Sequence, residues 1–266
     1  MSKRAAQIEE EARWRASLMG PFGLGRPRKR VPAERHYLPF NGTTNIARIV
    51  GGILGYTTQY SMVLKMARLP TTDAAWPVIA HFNQSGNASF GNVTDYDQLQ
   101  DSAPDIHRYA GITVAGGTNY AAASASQVSG AQVHMLGRDL TANTVRFRVV
   151  KSSDQSVFYA PADAATVEDS APDDIIIGGL ANPNGTLNSA PCDVWLVAVL
   201  AFHSFPADAL LQAYSAPSCR DARPIFGSAL KGYWPSSGMA GSSVPALVGT
   251  PPMACTGLTA AALVSW

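Results

Sequence analysis

The stretch Val194–Phe202, VWLVAVLAF, consists of nine consecutive apolar residues. A helix that spans a membrane needs about 20 such residues, so this stretch is too short to be one. A short, continuous apolar run is instead typical of a strand that is covered on both faces. We therefore expect Val194–Phe202 to be a central strand of a buried β-sheet.

Two other stretches, Ser61–Leu69 (SMVLKMARL) and Asn143–Val150 (NTVRFRVV), alternate between apolar and polar residues. The apolar positions, which we expect to face the core, are Met62, Leu64, Met66, Val145, Phe147 and Val149. The positions expected on or near the opposite face are Ser61, Lys65, Ala67, Arg146 and Arg148. A period of two with one face in water is typical of antiparallel sheets.

Shorter segments extend this pattern. Ile112–Val114 and Asn119–Ala123 flank Gly116-Gly117, which predicts a hairpin. Asp174–Gly178 predicts another strand, and turn-forming clusters recur between the strands. Strands that are spaced by turns in this way favour a β-sandwich.

Only one helix is expected after residue 36, within Ser204–Tyr214. Ser204 is its N-cap candidate, Asp208 falls in the first turn, and Pro217 follows the end. Residues 37–234 would form the sandwich. Residues 235–266 are rich in Gly, Ser, Pro and Ala, and we expect them to be a C-terminal tail that packs on the body or on a neighbour.

Residues 1–36 carry nine basic and four acidic residues, in a chain with a net charge of +1. The pattern of residues 3–19 predicts a helix. Its apolar face is too narrow to stabilise the helix in water, so the helix needs to pack against a partner. Residues 20–36 are expected to form an extended linker. We interpret residues 1–36 as an anchoring arm. Its contact residues are expected to be Ile8, Trp14, Leu18, Arg26, Arg28, Lys29 and Arg30.

The three cysteines, Cys192, Cys219 and Cys255, lie far apart and have neither CxxC nor Cys/His spacing. An odd number at such distances argues against a disulfide framework and against a zinc site. The first residues are charged and show no apolar segment of a secretion signal. We therefore expect synthesis in the cytoplasm, no membrane partner and no cofactor.

Several segments follow one another in an order that resembles the laminin-G-like, concanavalin A-like jelly-roll domains of tailed-phage structural proteins. They are Phe40–Ile49, Tyr60–Leu69, Val133–Asp139, Thr144–Val149, Ile175–Gly179, Asp193–Phe202 and the helix with Leu210, Leu211 and Tyr214. The resemblance covers about residues 40–217. It implies an all-β antiparallel sandwich, outside which the predicted N-terminal helix and basic arm would lie. It also implies a role in sugar or surface adhesion and sheet edges used for subunit contacts.

Enzymatic activity is not expected. Related jelly-roll glycanases use two carboxylates on one strand as nucleophile and acid. After residue 36 this chain has a single glutamate, Glu168, within an acidic loop that also contains Asp169, Asp173 and Asp174. The isolated histidines are His36, His81, His107, His134 and His203, and no GxSxG motif accompanies them. The resemblance implies a structural role for His134.

The best metal candidate is the series Asp95, Asp97, Asp101, Asp105 and His107, whose oxygen ligands suit calcium. Its spacing lacks the regularity of an EF-hand, so a solvated loop is the favoured interpretation. The glycosylation sequons at Asn41, Asn87, Asn92 and Asn184 are interpreted as turns.

The favoured hypothesis is a structural protein on the exterior of a tailed-phage virion, either a capsid decoration or a tail-fibre or adhesin component. Its partners would be other virion proteins bound through the arm, copies of itself, and host surface glycans. Because aromatic residues for base stacking are sparse around Arg26–Arg30, protein docking is favoured over nucleic acid. The alternative is a free-standing carbohydrate-binding or carbohydrate-cleaving lectin-like protein.

Overall fold

The computed structural model describes residues 33–50, 58–68, 80–83, 106–112, 118–124, 131–139, 141–142, 144–159, 174–181, 187–189 and 193–266. The strands are β1 (His36–Pro39), β2 (Ile46–Val50), β3 (Gln59–Arg68), β4 (Ala80–Asn83), β5 (Ile106–Ile112), β6 (Thr118–Ser124), β7 (Gln132–Asp139), β8 (Thr144–Lys151), β9 (Val157–Tyr159), β10 (Asp174–Ile177), β11 (Leu180–Ala181), β12 (Leu187–Ser189), β13 (Trp195–Phe202), β14 (Leu230–Pro235), β15 (Ser243–Val244), β16 (Met253–Thr256) and β17 (Val264–Ser265). The α-helices are α1 (Asp208–Ser215) and α2 (Arg223–Phe226), and the 3-10 turns are Gly227–Ala229, Ser236–Gly238 and Ala260–Ala262.

The described strands form two main sheets whose neighbours pair antiparallel. The first sheet has the order β17-β1-β13-β3-β7-β8-β9, and β14 also pairs with β13. The second has the order β15-β16-β2-β10-β4. The hairpins β5-β6 and β11-β12 are separate two-stranded sheets. The chain is therefore an antiparallel β-sandwich, as its sequence predicts.

Strand β13 occupies the centre of the first sheet. One of its edges pairs with β3 along most of its length. The other edge is divided, because β1 pairs with Trp195 and Leu196 whereas β14 pairs with the residues from Ala198 to Phe202. The chain therefore enters β1 close to the point on β13 where the neighbouring strand changes from β1 to β14.

The main core lies between the two sheets. It brings Leu64 of β3 and Phe147 of β8 together with Ile49 and Ile175 of the second sheet. Each of these side chains is at most 1% exposed, and burying one contributes about 1.5–3 kcal/mol. The predicted inward positions Met62, Met66 and Val149 belong to the same cluster.

The opposite face of the first sheet is also buried. This corrects the prediction that one face of β3 is exposed to solvent. A second apolar cluster there includes Val63 of β3, Leu200 of β13, Tyr214 of α1 and Phe226 of α2. Ser61 and Lys65 are fully buried beneath this layer. An alternating sequence shows which residues share a face, but it does not show whether a helical layer covers that face.

The helices differ from the prediction of a single one beginning near Ser204. Helix α1 begins at Asp208, its N-cap is Ala207, and no side chain caps it. Phe205 precedes Pro206, and a residue before proline disfavours helical backbone angles. Ser204 instead accepts a hydrogen bond on its carbonyl oxygen from the Ser61 hydroxyl at 2.7 Å. The short helix α2, with proline near its start, is additional.

The other strand predictions are largely confirmed. The hairpin around residues 113–117 pairs Ile112 with Thr118, and β10 begins at Asp174. In β8, Phe147 is buried and Arg146 is exposed, as the alternation predicts. Trp195 is the exception within the apolar run, because it is partly exposed and stacks on Tyr37 with ring centroids 4.6 Å apart.

Residues 235–266 pack on the body and supply strands to both sheets, through β15 and β16 in one and β17 in the other. Met253, Cys255 and Leu258 from this segment enter the main core. Among the described residues, no helix has the length and apolar character needed to cross a membrane.

Candidate functional site

A buried cluster of charged and phenolic side chains lies on the helix-covered face of the first sheet. Its centre is Lys65, which the alternation of β3 directs away from the main core. The ammonium group donates hydrogen bonds to Glu34 Oε2 at 3.0 Å, to the carbonyl of Cys219 at 2.7 Å and to the carbonyl of Tyr214 at 3.1 Å. A lysine has three donors, so all of them are satisfied.

Glu34 is the counter-ion, and its side chain is as inaccessible as that of Lys65. Its second oxygen, Oε1, accepts hydrogen bonds from the hydroxyls of Tyr214 and Tyr233, each at 2.7 Å. Its backbone N–H donates to the carbonyl of Arg220 at 3.0 Å. Both carboxylate oxygens are therefore bonded, which is what allows a charged group to remain inside a protein.

The two tyrosines are held in their neutral form. Burial, followed by the negative charge of Glu34, raises the pKa of Tyr214 well above its ordinary value. The same two causes, in the same order, raise the pKa of Tyr233. Each phenol therefore keeps its proton and donates a hydrogen bond to Glu34. Lys65 and Glu34 form the ion pair at the centre of the cluster.

Aromatic faces complete the surroundings of the ammonium group. Lys65 Nζ lies 4.4 Å from the ring centroid of Tyr214 and 4.8 Å from that of Trp266. The guanidinium of Arg220 stacks over the same indole at 3.9 Å. The ring of Trp266 is thus in contact with two cations, an arrangement that favours tryptophan above other aromatic residues.

The residues that follow Glu34 are fixed by backbone contacts. The carbonyl of Arg35 accepts a hydrogen bond from the N–H of Trp266 at 2.8 Å. The N–H groups of Arg35 and His36 both donate to the hydroxyl of Ser237, at 2.6 and 2.8 Å. Residues 34–36 are therefore tied to β3, α1, β14 and the C-terminal segment before the chain enters β1.

This cluster is closed to solvent and to substrates. Neither Glu34 nor Lys65 has side-chain surface that a substrate could reach. Their removal from water is offset only because every donor and acceptor is matched, and such networks fix one arrangement of the chain. The cluster therefore clamps the segment that joins residues 1–32 to the sandwich.

The other described carboxylates have structural contacts of their own. Asp174, at the end of the predicted acidic loop and the start of the predicted strand, begins β10 and pairs with Arg48 of β2. Asp139 accepts hydrogen bonds from the backbone N–H of Ala142 and from other donors, and these contacts lower the pKa of its carboxyl group. Two further described pairs are Asp208 with Arg148 and Asp221 with Arg223.

His134 lies buried in β7, where its ring hydrogen-bonds to the amide oxygen of Gln132 at 3.0 Å and meets Phe147 edge-on. This placement agrees with the structural role that the resemblance implies. In the part of the chain that the structure describes, no group of three His, Cys, Asp or Glu side chains could hold a metal ion.

Some predicted sites lie outside the described residues. They are the arm contacts Ile8, Trp14, Leu18, Arg26, Arg28, Lys29 and Arg30, the carboxylates Glu168, Asp169 and Asp173, and the metal candidates Asp95, Asp97, Asp101 and Asp105. The sequons at Asn87, Asn92 and Asn184 also lie outside them. Asn41 is described, and its side-chain oxygen accepts hydrogen bonds from the N–H groups of Thr43, Thr44 and Asn45, which makes it a turn residue.

The Glu34 cluster was not predicted from the sequence. Glu34 was expected to belong to the arm, and Lys65 was expected on a solvent-facing strand surface. The one available signal was the position of Lys65 between Leu64 and Met66 in a stretch with few charges. Its partners are 31 to 154 residues away along the chain, so their convergence depends on the tertiary fold.

No protein-family model and no curated protein matches this chain. Among solved structures, it is similar to a Bacteroides ovatus protein assigned as carbohydrate-binding, with a TM-score of 0.56 and 11% identity, over 88% of this chain and 60% of that one. It is also similar to a heptameric SAP-like pentraxin from Limulus polyphemus, with a TM-score of 0.52 and 9% identity, over 70% of this chain and 84% of that one.

A weaker similarity, with a TM-score of 0.48 and 9% identity, is to the full-length tailspike protein 2 of an Escherichia coli O157:H7 bacteriophage, over 79% of this chain and 31% of that one. This chain spans only about 60% of the length of the Bacteroides ovatus protein. At such identities the two stronger similarities establish the fold, an antiparallel jelly-roll sandwich.

Proposed function

We propose that this chain is a non-enzymatic structural protein of a tailed-phage virion. The sandwich is displayed on the exterior, as a capsid decoration or as part of a tail fibre or adhesin, and residues 1–32 attach it to other virion proteins. No cofactor takes part. Host surface glycans are the ligands that an exterior sandwich of this fold would meet.

The observation that carries this proposal is the attachment of Glu34 inside the body. Glu34 is held by a buried ion pair, two phenolic hydrogen bonds and a backbone hydrogen bond, which a free terminal segment would not need. A segment that attaches the sandwich to another protein must itself remain bound to the sandwich. The cluster meets that requirement, because a buried partner left alone is strongly unfavourable.

The composition of the preceding residues agrees with docking on protein. The predicted helix offers Ile8, Trp14 and Leu18 for apolar contact, and the linker offers four basic residues between Arg26 and Arg30. Apolar contact together with charge is the usual combination at protein interfaces, in which Trp and Arg are enriched.

The test is incorporation into particles. The chain without residues 2–32 should fold normally and fail to sediment with purified virions, whereas the full chain should sediment with them at a fixed copy number. Equal occupancy by both proteins would contradict the proposed role of the arm. Absence of the full chain from particles would contradict the virion role itself.

A second candidate function is free-standing carbohydrate binding or cleavage. It is favoured by the similarity of the fold to a protein that is itself assigned as carbohydrate-binding. Binding on a glycan array by a chain that migrates as a monomer and does not sediment with particles would support this alternative. Release of sugar from a bound glycan would support its enzymatic form.

A further inference from the structure

Two arginines lie beside the Glu34 cluster, and neither has an acidic partner in the part of the chain that the structure describes. Arg35 directly follows Glu34, and it is exposed. Arg220 is partly exposed, and its backbone carbonyl accepts the hydrogen bond from the Glu34 N–H. Glu34 does not compensate these two charges, because its own charge is already matched by Lys65.

The guanidinium group of Arg220 lacks a hydrogen-bond acceptor. It lies over the indole of Trp266, 3.9 Å from the ring centroid, and this contact fixes its plane. Its Nη1 atom is buried and has no hydrogen-bond partner. A buried donor without an acceptor is unfavourable, so a ligand that supplies the acceptor gains binding energy. A carboxylate suits this guanidinium best, since its two oxygens can accept two parallel N–H bonds.

Trp266 brings the two arginines to one face of the sheet. Its N–H donates to the carbonyl of Arg35 at 2.8 Å, which continues the antiparallel pairing of His36 with Ser265. Residues directly opposite each other in such a pair share a face. The side chain of Arg35 therefore leaves the sheet on the face where Trp266 meets Arg220. We call Arg35, Arg220 and Trp266 the arginine surface.

The surroundings of the arginine surface supply little negative charge. Asp221 follows Arg220 in the sequence, but its carboxylate is bonded to Arg223. Residues 232–266 contain no Asp or Glu, and residues 12–33 contain six basic residues and no acidic one. Excess positive charge attracts a surface of the opposite sign. The arginine surface is therefore suited to a partner that carries carboxylates.

The contacts of Trp266 favour a protein over a nucleic acid as that partner. Single-stranded nucleic acids bind aromatic side chains by stacking their bases on them. The ring of Trp266 is already in contact with two cations, Lys65 and Arg220, so it does not offer a free platform for a base. Arginine beside tryptophan is instead the combination that is enriched at the centre of protein interfaces.

We propose that the arginine surface binds an acidic surface of another protein, whose carboxylates pair with Arg35 and Arg220. This inference rests on the proposed function and names the chemistry of the partner. The virion protein that holds the arm presents a negatively charged surface, and that surface also contacts the sandwich beside the Glu34 cluster.

Binding of the purified full chain to immobilised poly-L-glutamate, a polypeptide of carboxylates, tests this inference. The four basic residues of the linker are first replaced by Ser, so that their charge does not mask the result; they are Arg26, Arg28, Lys29 and Arg30. In this parent chain, Arg35→Gln and Arg220→Gln should each weaken binding about two- to fivefold at low salt, the range for exposed ion pairs. Arg35→Gln should leave the unfolding curve unchanged, since its side chain is exposed.

Arg146→Gln is the matched control. Arg146 is also exposed and also lies over an aromatic ring, with its guanidinium 4.6 Å from the ring centroid of Phe205. It belongs to β8, which β13, β3 and β7 separate from β1 in the first sheet. Arg146→Gln should therefore bind poly-L-glutamate as the parent chain does.

Three results would overturn the inference. They are an absence of binding by the wild type, unchanged binding by Arg35→Gln and Arg220→Gln, and equal weakening by Arg146→Gln, which would show that only total charge matters. Tighter binding of the wild type to single-stranded DNA with the same number of charges would contradict a protein partner. Sedimentation with virions is measured separately, so a chain that binds through both arginines but is absent from particles would refute the proposed function alone.

Discussion

Lys65 Nζ lies 3.0 Å from Glu34 Oε2, and neither side chain has accessible surface. The pair joins the central part of the first sheet to the segment just before β1. Burying two charges is unfavourable unless both are fully bonded, and removing one partner leaves the other unmatched. The stability of the body should therefore be sensitive to either residue.

Glu34→Gln and Lys65→Met should each lower the free energy of unfolding by roughly 3–5 kcal/mol, because each leaves a buried charge without its counter-ion. The double variant Glu34→Gln/Lys65→Met should lose less than the sum of the two single losses, since neither charge remains. Urea unfolding followed by circular dichroism provides the four values needed for the cycle.

The surface pair Asp221–Arg223 is the matched control for this experiment. Its side chains are 25% and 45% exposed, and exposed ion pairs contribute about 0–1 kcal/mol. Arg223→Gln should therefore leave the unfolding curve nearly unchanged. If Glu34→Gln had an equally small effect, the cluster would not be the clamp described above.

The tyrosines of the cluster predict sensitivity to alkali. Their pKa values are raised in the folded chain, so the stability that depends on the neutral phenols is fully present below the pKa of about 10 of unfolded tyrosine and is lost as the pH rises above it. In an absorbance titration of the nine tyrosines, Tyr214 and Tyr233 should be among those that ionise only as the chain unfolds.

Tyr214→Phe provides the comparison for that titration. It removes one hydroxyl that donates to Glu34 and should destabilise the chain at neutral pH by about 1–3 kcal/mol. The loss of stability above pH ~10 should be smaller than in the wild type. Normal titration of all nine tyrosines in the folded wild type would contradict the geometry of the cluster.

Phe147→Ala and Trp195→Ala should have unequal effects. Phe147 is fully buried in the main core, so emptying its site should destabilise the body by roughly 3–5 kcal/mol. Trp195 is partly exposed and loses mainly its stacking on Tyr37, so its replacement should cost less. Thermal unfolding of the two variants measures the difference, and equal losses would show that Trp195 packs more deeply than described.

The boundary of the arm can be tested by two truncations. Deleting residues 2–32 should leave the unfolding midpoint of the body unchanged, because the cluster begins at Glu34. Deleting residues 2–36 should lower it sharply, since it removes Glu34 and the first residue of β1. Equal midpoints for the two truncated chains would show that residues 33–36 are dispensable.

The salt dependence of attachment separates the two parts of the arm. Replacing Arg26, Arg28, Lys29 and Arg30 by Ser should flatten the salt dependence, because exposed charge pairs are screened over a Debye length of about 8 Å at physiological ionic strength. Trp14→Ala should weaken attachment at every salt concentration, since apolar contact responds little to salt. Nuclease-sensitive attachment with a steep slope, about −0.9 per phosphate contacted, would instead place the arm on DNA.

The sandwich could be predicted from the sequence because the patterns that specify its strands lie within short, contiguous stretches of the chain. The apolar run ending at Phe202 and the alternation around Phe147 specify buried strands without knowledge of the rest of the chain. The face of Lys65 and the position of Glu34 could not be predicted in this way. Both depend on α1 and β14, which are distant in sequence, and the period of a strand does not show which layer covers it.

The divided edge of β13 has a mechanical consequence. Because β1 takes only the end of that edge, tension on residue 32 reaches the Glu34 clamp before it reaches any backbone ladder. The Glu34 cluster opposes this force with an ion pair and several hydrogen bonds that must break at the same time. A strand held only by its ladder would lose its hydrogen bonds one after another. A pull on residue 32 would therefore be resisted more strongly by this sandwich than by one that is held only through a free strand end.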